Sequence, residues 1–286
     1  MHNYVWLHVE STTRCNAWCP FCPRNNNGFG IASDLIIQDL DLTIFKNVLD
    51  SNNKLETIQF CGNLGDPLAA KNFDEQLDLV LSYQNVKKIQ IHTNGSLRNK
   101  EWWMSLYEKT KNIKLDVWFA IDGHKDNHSL YRQGTDYDKI IENAKTFINC
   151  GGSAVWQFIL FEHNKNDVVS CYQLSQQLNF KQFKLIKNSA SDKKSYHYQT
   201  GKELNIKSVK DQSKVDMIHE KSSIAVRKEN CMHLSYPSMY LMANGEIKPC
   251  CYLGSSNLNY QDIKKSFITK QFFKECVTFC GTKIKP

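Results

Sequence analysis

Three cysteines near the start of the chain are spaced as ligands of an iron–sulfur cluster. Cys15, Cys19 and Cys22 lie within eight residues, directly after an apolar run. Thiolates at this spacing can bind three irons of a cubane [4Fe–4S] cluster, which leaves the fourth iron open to a small molecule. A zinc knuckle is the alternative, but zinc requires a fourth ligand at comparable spacing, and neither His8 nor another nearby side chain supplies one.

The cysteine content of the whole chain favours metal binding over disulfides. There are 11 cysteines, an odd number, and the first residues lack the basic and apolar layout of an export signal. Two separated groups of cysteines in a reducing compartment indicate two metal sites. Cys61, Cys150 and Cys171 fit no ligand pattern, so we expect them in the core. The second group lies near the end of the sequence and consists of Cys231, Cys250, Cys251, Cys276 and Cys280.

Composition and charge describe an ordinary globular protein. Hydrophobic residues make up 41% of the 286 positions and charged residues 23%, which is enough to build a core without disulfides. No run of about 18 apolar residues occurs, so we expect a cytoplasmic protein without a membrane span. The net charge of +7 is spread along the chain, so a solvated surface is favoured over a nucleic-acid partner.

Alternating strands and helices must position these cysteines. Apolar, β-rich runs predict six strands, at Tyr4–Val9, Glu56–Cys61, Lys88–Thr93, Lys114–Ile121, Ala154–Phe161 and Phe180–Ile186. Patterns between them predict five helices, at Leu42–Ser51, Phe73–Tyr83, Lys100–Lys109, Tyr137–Asn149 and Asp167–Leu178. The strands are mostly apolar on both faces, as in parallel sheets covered by helices. We therefore predict an α/β fold, a partial (β/α)6 TIM-like barrel whose functional loops follow the strands.

The remainder of the sequence differs in character from this barrel. A polar stretch contains one helical candidate at Lys207–His219, and after it a β-hairpin is predicted to turn at Asn244-Gly245. A final helix is expected around Phe267–Phe279. The predicted parts are a barrel over 1–188, an insertion or linker over 189–229, and a small C-terminal subdomain over 230–286.

The order of these motifs resembles that of the radical S-adenosylmethionine (radical SAM) enzymes. Their signature is a Cys-x3-Cys-x2-Cys loop after the first strand, with an aromatic residue, here Phe21, before the third cysteine. The resemblance implies a [4Fe–4S] cluster on Cys15, Cys19 and Cys22 that binds S-adenosylmethionine through its open iron. Reductive cleavage would then give methionine and a 5′-deoxyadenosyl radical, which abstracts a hydrogen atom from an unactivated C–H bond.

The resemblance also implies contacts to S-adenosylmethionine in loops after successive strands. Asp66 stands where the family usually has Glu, in a motif whose two glycines are split here, and it would bind the methionine amino group. The guanidinium of Arg132 would pair bidentately with the methionine carboxylate, unless Arg132 is an ordinary surface arginine. Ala120 replaces a serine that touches S-adenosylmethionine in many relatives. The implied contacts are Phe21, Gly62, Asn63, Gly65, Asp66, Thr93, Asn94, Asp122, Arg132 and Gln157.

The C-terminal cysteines resemble the auxiliary-cluster region of the SPASM/twitch subgroup. The pattern there is a cysteine, a gap, Gly-x4-Cys and a closing cysteine pair, and it implies one auxiliary [4Fe–4S] cluster, as in the twitch form, with zinc as the alternative. Cys251 exceeds the four ligands needed. It is a ligand in place of Cys250, a catalytic thiol, or a packed side chain. The candidate catalytic residues are Asp66, Arg132 and Cys251. The implied ligands are Cys231, Cys250, Cys276 and Cys280.

The resemblance implies a reductive enzyme that takes its electron from an external flavodoxin- or ferredoxin-type donor. We expect a small-molecule substrate, with the auxiliary cluster taking part in oxidation or substrate handling. Because fourteen residues precede Cys15, we expect no peptide-recognition domain ahead of the cysteine loop. A peptide-modifying maturase, which forms thioether or C–C cross-links or epimerises residues, is the alternative. A non-catalytic metal-binding or electron-transfer module is another, although it would not need the ordered S-adenosylmethionine motifs.

Overall fold

A parallel sheet of consecutive strands forms the centre of the protein. The computed structural model describes residues 4–187, 194–209, 237–250, 260–269 and 271. Neighbours in sequence are also neighbours in the sheet, and each strand overlaps the run predicted for it, so the predicted α/β fold is confirmed. The six strands are β1 Trp6–Val9, β2 Thr57–Phe60, β3 Lys88–Thr93, β4 Lys114–Ala120, β5 Ser153–Leu160 and β6 Gln182–Lys187.

Helices cross between consecutive strands, and side chains cap several of them. Asp41, Asn99 and Asp136 each accept backbone N–H groups at the start of a helix, as expected for such residues. The fourth helix was not predicted, because seven residues are too few to show an apolar period. The helices are α1 Leu42–Asp50, α2 Phe73–Leu81, α3 Lys100–Thr110, α4 Lys125–Tyr131, α5 Tyr137–Asn149 and α6 Val168–Gln177.

The two faces of the sheet differ, which corrects the expectation that both are apolar. The strand register places His92 beside Trp118, and Gln157 beside Lys184, on a face that remains partly exposed. We call this the inner face. The other face packs against the helices through fully buried apolar side chains, among them Leu7, Val9, Ile58, Phe60, Ile89, Ile91, Val117, Phe119, Trp156 and Phe158. Helices on one side and polar groups on the other suit a partial barrel.

A C-terminal hairpin extends the sheet beyond β1. After a small separate ladder of β7 Ser195–Tyr196 and β8 Glu203–Leu204, β9 Ser238–Leu241 pairs in parallel with β1, on the side away from β2. β10 Ile247–Lys248 then pairs antiparallel with β9. The predicted turn between them is present, and Gly245 adopts a φ of 84° there. The hairpin therefore continues the barrel sheet.

The last described helix, α7, spans Tyr260–Thr269. The helix predicted around Phe267–Phe279 overlaps only its end, and the rest of that prediction lies outside the described residues. Of the helical candidate at Lys207–His219, residues 207–209 are described and are not helical. In the described part of the chain, no helix is long and apolar enough to cross a membrane.

Candidate functional site

The cysteine loop follows β1 and is folded by its own backbone. The amide of Cys22 donates to the carbonyl of Cys19 at 3.1 Å, and the amide of Asn25 donates to the carbonyl of Cys22 at 2.9 Å. From inside the loop, the Asn25 side chain also donates to the Cys19 carbonyl at 3.1 Å. These bonds fix the backbone on which the second and third cysteines are carried.

Polar groups from other strands lie against the first and third sulfurs. The amide of Ala17 donates to Cys15 Sγ at 3.3 Å, and Asn94 Nδ2, which follows β3, lies 3.9 Å from the same sulfur. The thiol of Cys22 donates to the carbonyl of Asn63, in the loop after β2, at 3.7 Å. Hydrogen bonds donated to a sulfur, as Ala17 and Asn94 donate to Cys15, are one means by which proteins tune iron–sulfur clusters.

A buried ion pair lies beside the second sulfur. Arg132, at the end of α4, donates from Nη1 to Cys19 Sγ at 3.6 Å and from Nε to Asp122 Oδ2 at 2.6 Å. The other oxygen of Asp122 accepts the amide of Ile159 at 2.6 Å. Burial raises the pKa of Asp122 and the guanidinium opposes that rise, whereas Asp122 and Cys19 raise the pKa of Arg132 well above its usual range. The guanidinium therefore keeps its charge beside Cys19.

A neutral histidine holds the same segment. The amide of Asp122 donates to His128 Nδ1 at 3.1 Å, so the ring proton is on Nε2, which donates to Thr135 Oγ1 at 3.0 Å. The Thr135 hydroxyl in turn donates to the carbonyl of Arg132 at 2.6 Å. Burial and the nearby guanidinium lower the pKa of His128 to about 3, so the ring adds no charge next to Arg132.

The chemistry of the three thiols fits a metal cluster. Burial raises the pKa of Cys15 and Cys19, and it raises the pKa of Cys22 to about 11. At neutral pH such thiols keep their protons unless a metal takes their place. Among the described residues, no three His, Cys, Asp or Glu side chains converge on a single ion position. A cubane does not require that convergence, because each thiolate binds a different iron.

Asp66 has its carboxylate oxygens engaged by the protein. It accepts the Thr93 hydroxyl at 2.9 Å, the Asn94 amide at 2.7 Å and the Leu68 amide at 3.0 Å. These contacts tie the loop after β2 to the end of β3. Burial raises the pKa of Asp66, and the same hydrogen bonds oppose the rise.

The split glycines permit a close approach of two loops. A Cβ on Gly65 would lie 1.9 Å from the carbonyl oxygen of Thr12 and 2.9 Å from that of Arg14, and one on Gly62 would lie 1.8 Å from the Gly65 carbonyl. The Asp66 amide donates to the Arg14 carbonyl at 2.8 Å across this contact. Glycine is therefore required sterically where the β2 loop crosses the segment leading into the cysteines.

The remaining predicted contacts occupy two different places. Phe21 lies 6.2 Å from Tyr131 and 6.4 Å from Phe161, between ring centroids, in a small apolar cluster next to the cysteines. Gln157 lies on the inner face of β5 and hydrogen-bonds to His92.

A segment that the sequence predicted as an insertion or linker covers the cysteine loop. We call residues 194–209 the strap. Tyr198 stacks on Trp18 with ring centroids 5.3 Å apart, and its amide donates to Gln133 Oε1 at 2.9 Å. Further along, Ile206 is buried in the cluster that includes Cys19. The polar composition of the strap concealed this role, because only its few aromatic and aliphatic side chains pack inward.

Sequence reasoning also missed a buried carboxylate at the end of β1. Glu10 is 2% exposed, and its Oε1 accepts the amide of Leu64 at 2.6 Å. Its Oε2 has no hydrogen-bond partner among the described residues. Burial raises the pKa of Glu10 to about 7, although the backbone amides of Leu64 and Asn63 and the charge of Lys248 lower it. The available signal was a charged residue directly after an apolar strand and ahead of the cysteine loop.

Of the C-terminal cysteines, the structure describes one. Cys250 is buried directly after β10. Cys231, Cys251, Cys276 and Cys280 lie outside the described residues, so the predicted auxiliary ligand set remains a prediction. As expected, Cys61 and Cys171 are buried, whereas Cys150 is only half-buried at the end of α5.

The sequence resembles a curated protein distantly. No family model matches the chain. Molybdenum cofactor biosynthesis protein 1 of Dictyostelium discoideum is 24% identical over 162 residues, which cover 52% of this chain and 24% of the relative. The chain therefore spans about a quarter of that relative's length.

Solved structures with the same fold hold S-adenosylmethionine. SuiB of Streptococcus suis bound to S-adenosylmethionine has a TM-score of 0.65 and 16% identity over 92% of this chain and 65% of SuiB. The protein anSMEcpe with bound AdoMet, the same molecule, has a TM-score of 0.65 and 19% identity over 94% of this chain and 79% of its own. At these identities the likeness is one of fold. It confirms, at that level, the predicted α/β fold with its partial barrel.

Proposed function

We propose that this chain is a radical SAM enzyme that binds a [4Fe–4S] cluster through Cys15, Cys19 and Cys22. The observation that carries the proposal is the setting of these sulfurs. Segments after β2, β3 and β4 contact them through Asn63 and Asn94 and through Arg132. A loop with only a structural role would not need polar contacts to its sulfurs from the segments after three successive strands.

The surrounding residues are suited to hold S-adenosylmethionine by its methionine end. Asp122 engages Nε of Arg132, which leaves the Nη groups to donate to a carboxylate. The backbone carbonyls of the loop containing Asn63 suit an ammonium group. We assign Asp66 to positioning that loop, since its oxygens already accept three protein groups.

With cluster and S-adenosylmethionine bound, the site would supply one-electron cleavage of the sulfonium to give a radical that abstracts hydrogen from substrate. The protein's part is to exclude water and to orient the ligands. The strap and the cluster around Phe21 support water exclusion, because both cover the cysteine loop with aromatic side chains. We further propose an external flavodoxin- or ferredoxin-type electron donor, and an auxiliary cluster on Cys231, Cys250, Cys276 and Cys280.

The substrate is proposed to be a small molecule, with peptide modification as a second candidate function. The observation that favours the second is that structural neighbours have been solved with peptides. SuiB has been solved with the precursor peptide SuiA, and anSMEcpe with the Cp18Cys peptide. Pools of small alcohols and of synthetic peptides, each added to the reduced enzyme, distinguish the two. A compound of the true substrate class should raise 5′-deoxyadenosine formation above the uncoupled level, and the compound recovered from the reaction should be chemically altered.

The proposed function is tested by measuring the iron content of the protein and then its cleavage of S-adenosylmethionine. Anaerobically reconstituted protein should contain about eight irons per chain and form 5′-deoxyadenosine with S-adenosylmethionine and dithionite. Replacing Cys15, Cys19 and Cys22 together by Ala should lower the content to about four irons and abolish cleavage. Cys150→Ala, a half-buried cysteine away from the site, is the matched control and should change neither.

Two results would contradict parts of the proposal. Unchanged cleavage in the triple variant would refute the assignment of the first cluster. Replacing Cys276 and Cys280 by Ala should remove the second cluster and leave uncoupled cleavage. An iron content that did not fall in that variant would refute the auxiliary site alone.

A further inference from the structure

The inner face carries a group of polar and aromatic side chains that the cysteine site does not use. His92 on β3 stacks on Trp118 of β4, with ring centroids 4.6 Å apart. The ammonium of Lys184 on β6 lies 4.8 Å from the Trp118 centroid. Gln157 on β5 lies beside Lys184 in the strand register and hydrogen-bonds to His92. All four side chains are partly exposed on the face that looks away from the helices.

The charge on this face is positive toward the amino ends of the strands as well. Asp116 lies one inward-facing position before Trp118 on β4, and two ammonium groups share its carboxylate. Lys88 lies 3.3 Å from it and Lys181 lies 2.8 Å from it. One carboxylate therefore faces two lysines, and Lys184 adds a third positive charge above them. An excess of positive charge on a surface attracts ligands of negative charge.

The same group contains a hydrogen-bond donor that the protein leaves unused. Trp118 Nε1 is buried and has no hydrogen-bond partner among the described residues. A buried N–H without a partner is costly, and a ligand oxygen would satisfy it. His92 is neutral, since burial and nearby lysines lower its pKa to about 3, so the ring does not repel the ammonium of Lys184.

We propose that Lys184, with Trp118 Nε1–H and Gln157, forms the anchor for a carboxylate group on the substrate. One ammonium and neutral N–H donors match the two oxygens and single charge of a carboxylate. The flat His92–Trp118 pair offers a surface for an unsaturated part of the same molecule. The proposal rests on the proposed function, because it takes the inner face as the place where substrate meets the cleaved S-adenosylmethionine.

The test measures binding to the reconstituted holoenzyme and does not depend on turnover. Benzoate is the probe, and its affinity is compared with that of benzyl alcohol, a neutral molecule of similar shape, by ligand-observed NMR. Lys184→Met should weaken benzoate binding by about 10- to 100-fold, the range expected for loss of one charge-assisted hydrogen bond. Lys184→Arg should retain most of it. Benzyl alcohol should bind wild type and Lys184→Met alike.

Matched variants separate this anchor from general effects of charge and folding. Lys145→Met removes an exposed lysine on α5 and should leave benzoate binding unchanged. Trp118→Phe keeps a smaller aromatic ring and removes the indole N–H, so it should weaken benzoate binding even if Lys184→Met fails to fold. A carboxylate on a peptide side chain is the other source of the same chemistry. If a short peptide that contains Glu competes with benzoate, and the same peptide with Gln at that position does not, the carboxylate comes from a peptide side chain.

The outcomes for the anchor and for the proposed function are distinct. If wild type does not bind benzoate, or Lys184→Met and Trp118→Phe bind it as wild type does, the anchor is refuted while cleavage of S-adenosylmethionine still supports the function. If 5′-deoxyadenosine is not formed by wild type, the proposed function fails whatever the benzoate result.

Discussion

Replacing Glu10 by Gln tests whether the buried carboxylate of Glu10 lowers the stability of the folded protein. Glu10 is 2% exposed, and one of its oxygens has no hydrogen-bond partner among the described residues. Its pKa is raised from 4.5 to about 7 by burial. Each tenfold change in proton affinity is worth about 1.4 kcal/mol, so the charged carboxylate costs the fold about 3 kcal/mol at high pH.

The direction of the pH effect follows from the raised pKa. The folded chain holds the Glu10 proton more tightly than the unfolded chain does, so the folded state loses stability as pH rises from 4.5 through about 7. Below about pH 4.5 both states are protonated and the cost is absent. Gln stays neutral at every pH, and its oxygen can still accept the Leu64 amide. The free energy of unfolding of Glu10→Gln therefore rises relative to that of wild type as pH increases.

Urea unfolding of both proteins, side by side, measures the effect. From about pH 5.5 to about pH 8.5, the free energy of unfolding of Glu10→Gln minus that of wild type should rise by about 2 kcal/mol. Glu108→Gln, which loses an exposed ion pair with Lys111, is the control and should change by less than about 1 kcal/mol. A difference between Glu10→Gln and wild type that does not vary with pH would refute the reasoning.

Two further substitutions test the geometry of the site. Arg132→Met leaves the fully buried Asp122 without its partner and should cost about 3–5 kcal/mol in urea unfolding. Adding Asp122→Asn should restore part of that loss, and a double variant no more stable than Arg132→Met would contradict the ion-pair account. Gly65→Ala places a Cβ 1.9 Å from the Thr12 carbonyl, so it should lower both the melting temperature and the reconstituted iron content. Gly201→Ala meets nothing within 4 Å and should cost only the roughly 1–2 kcal/mol of its left-handed backbone, with iron content unchanged.

The strands and most helices could be predicted because their signals are local. Apolar runs marked all six parallel strands, and the observed β3 coincides with the predicted Lys88–Thr93. The turn at Asn244-Gly245 was predictable for the same reason, since positive φ selects those residues. α4 was missed because its seven residues contain too few apolar positions to show a period.

The contacts of the site could not be predicted, because they join residues far apart in sequence. The sequence identified Arg132 and Asp122 as candidates, but it did not show that they pair with each other beside Cys19. It offered Asp66 as a ligand for an amino group, but it did not show that the Asp66 oxygens also hold the end of β3. Contacts of this kind depend on how the loops meet.

By itself, the sequence determined the chemistry available to this protein. Residue types and spacings placed three thiols in one loop after the first strand. The pattern of apolar residues determined that the chain folds as alternating strands and helices. Only the tertiary structure decided which face of the sheet is polar, that the strap covers the cysteine loop, and that Glu10 is buried. The physical reason is that burial and desolvation depend on the whole packed chain, whereas covalent spacing and backbone preference are properties of each segment.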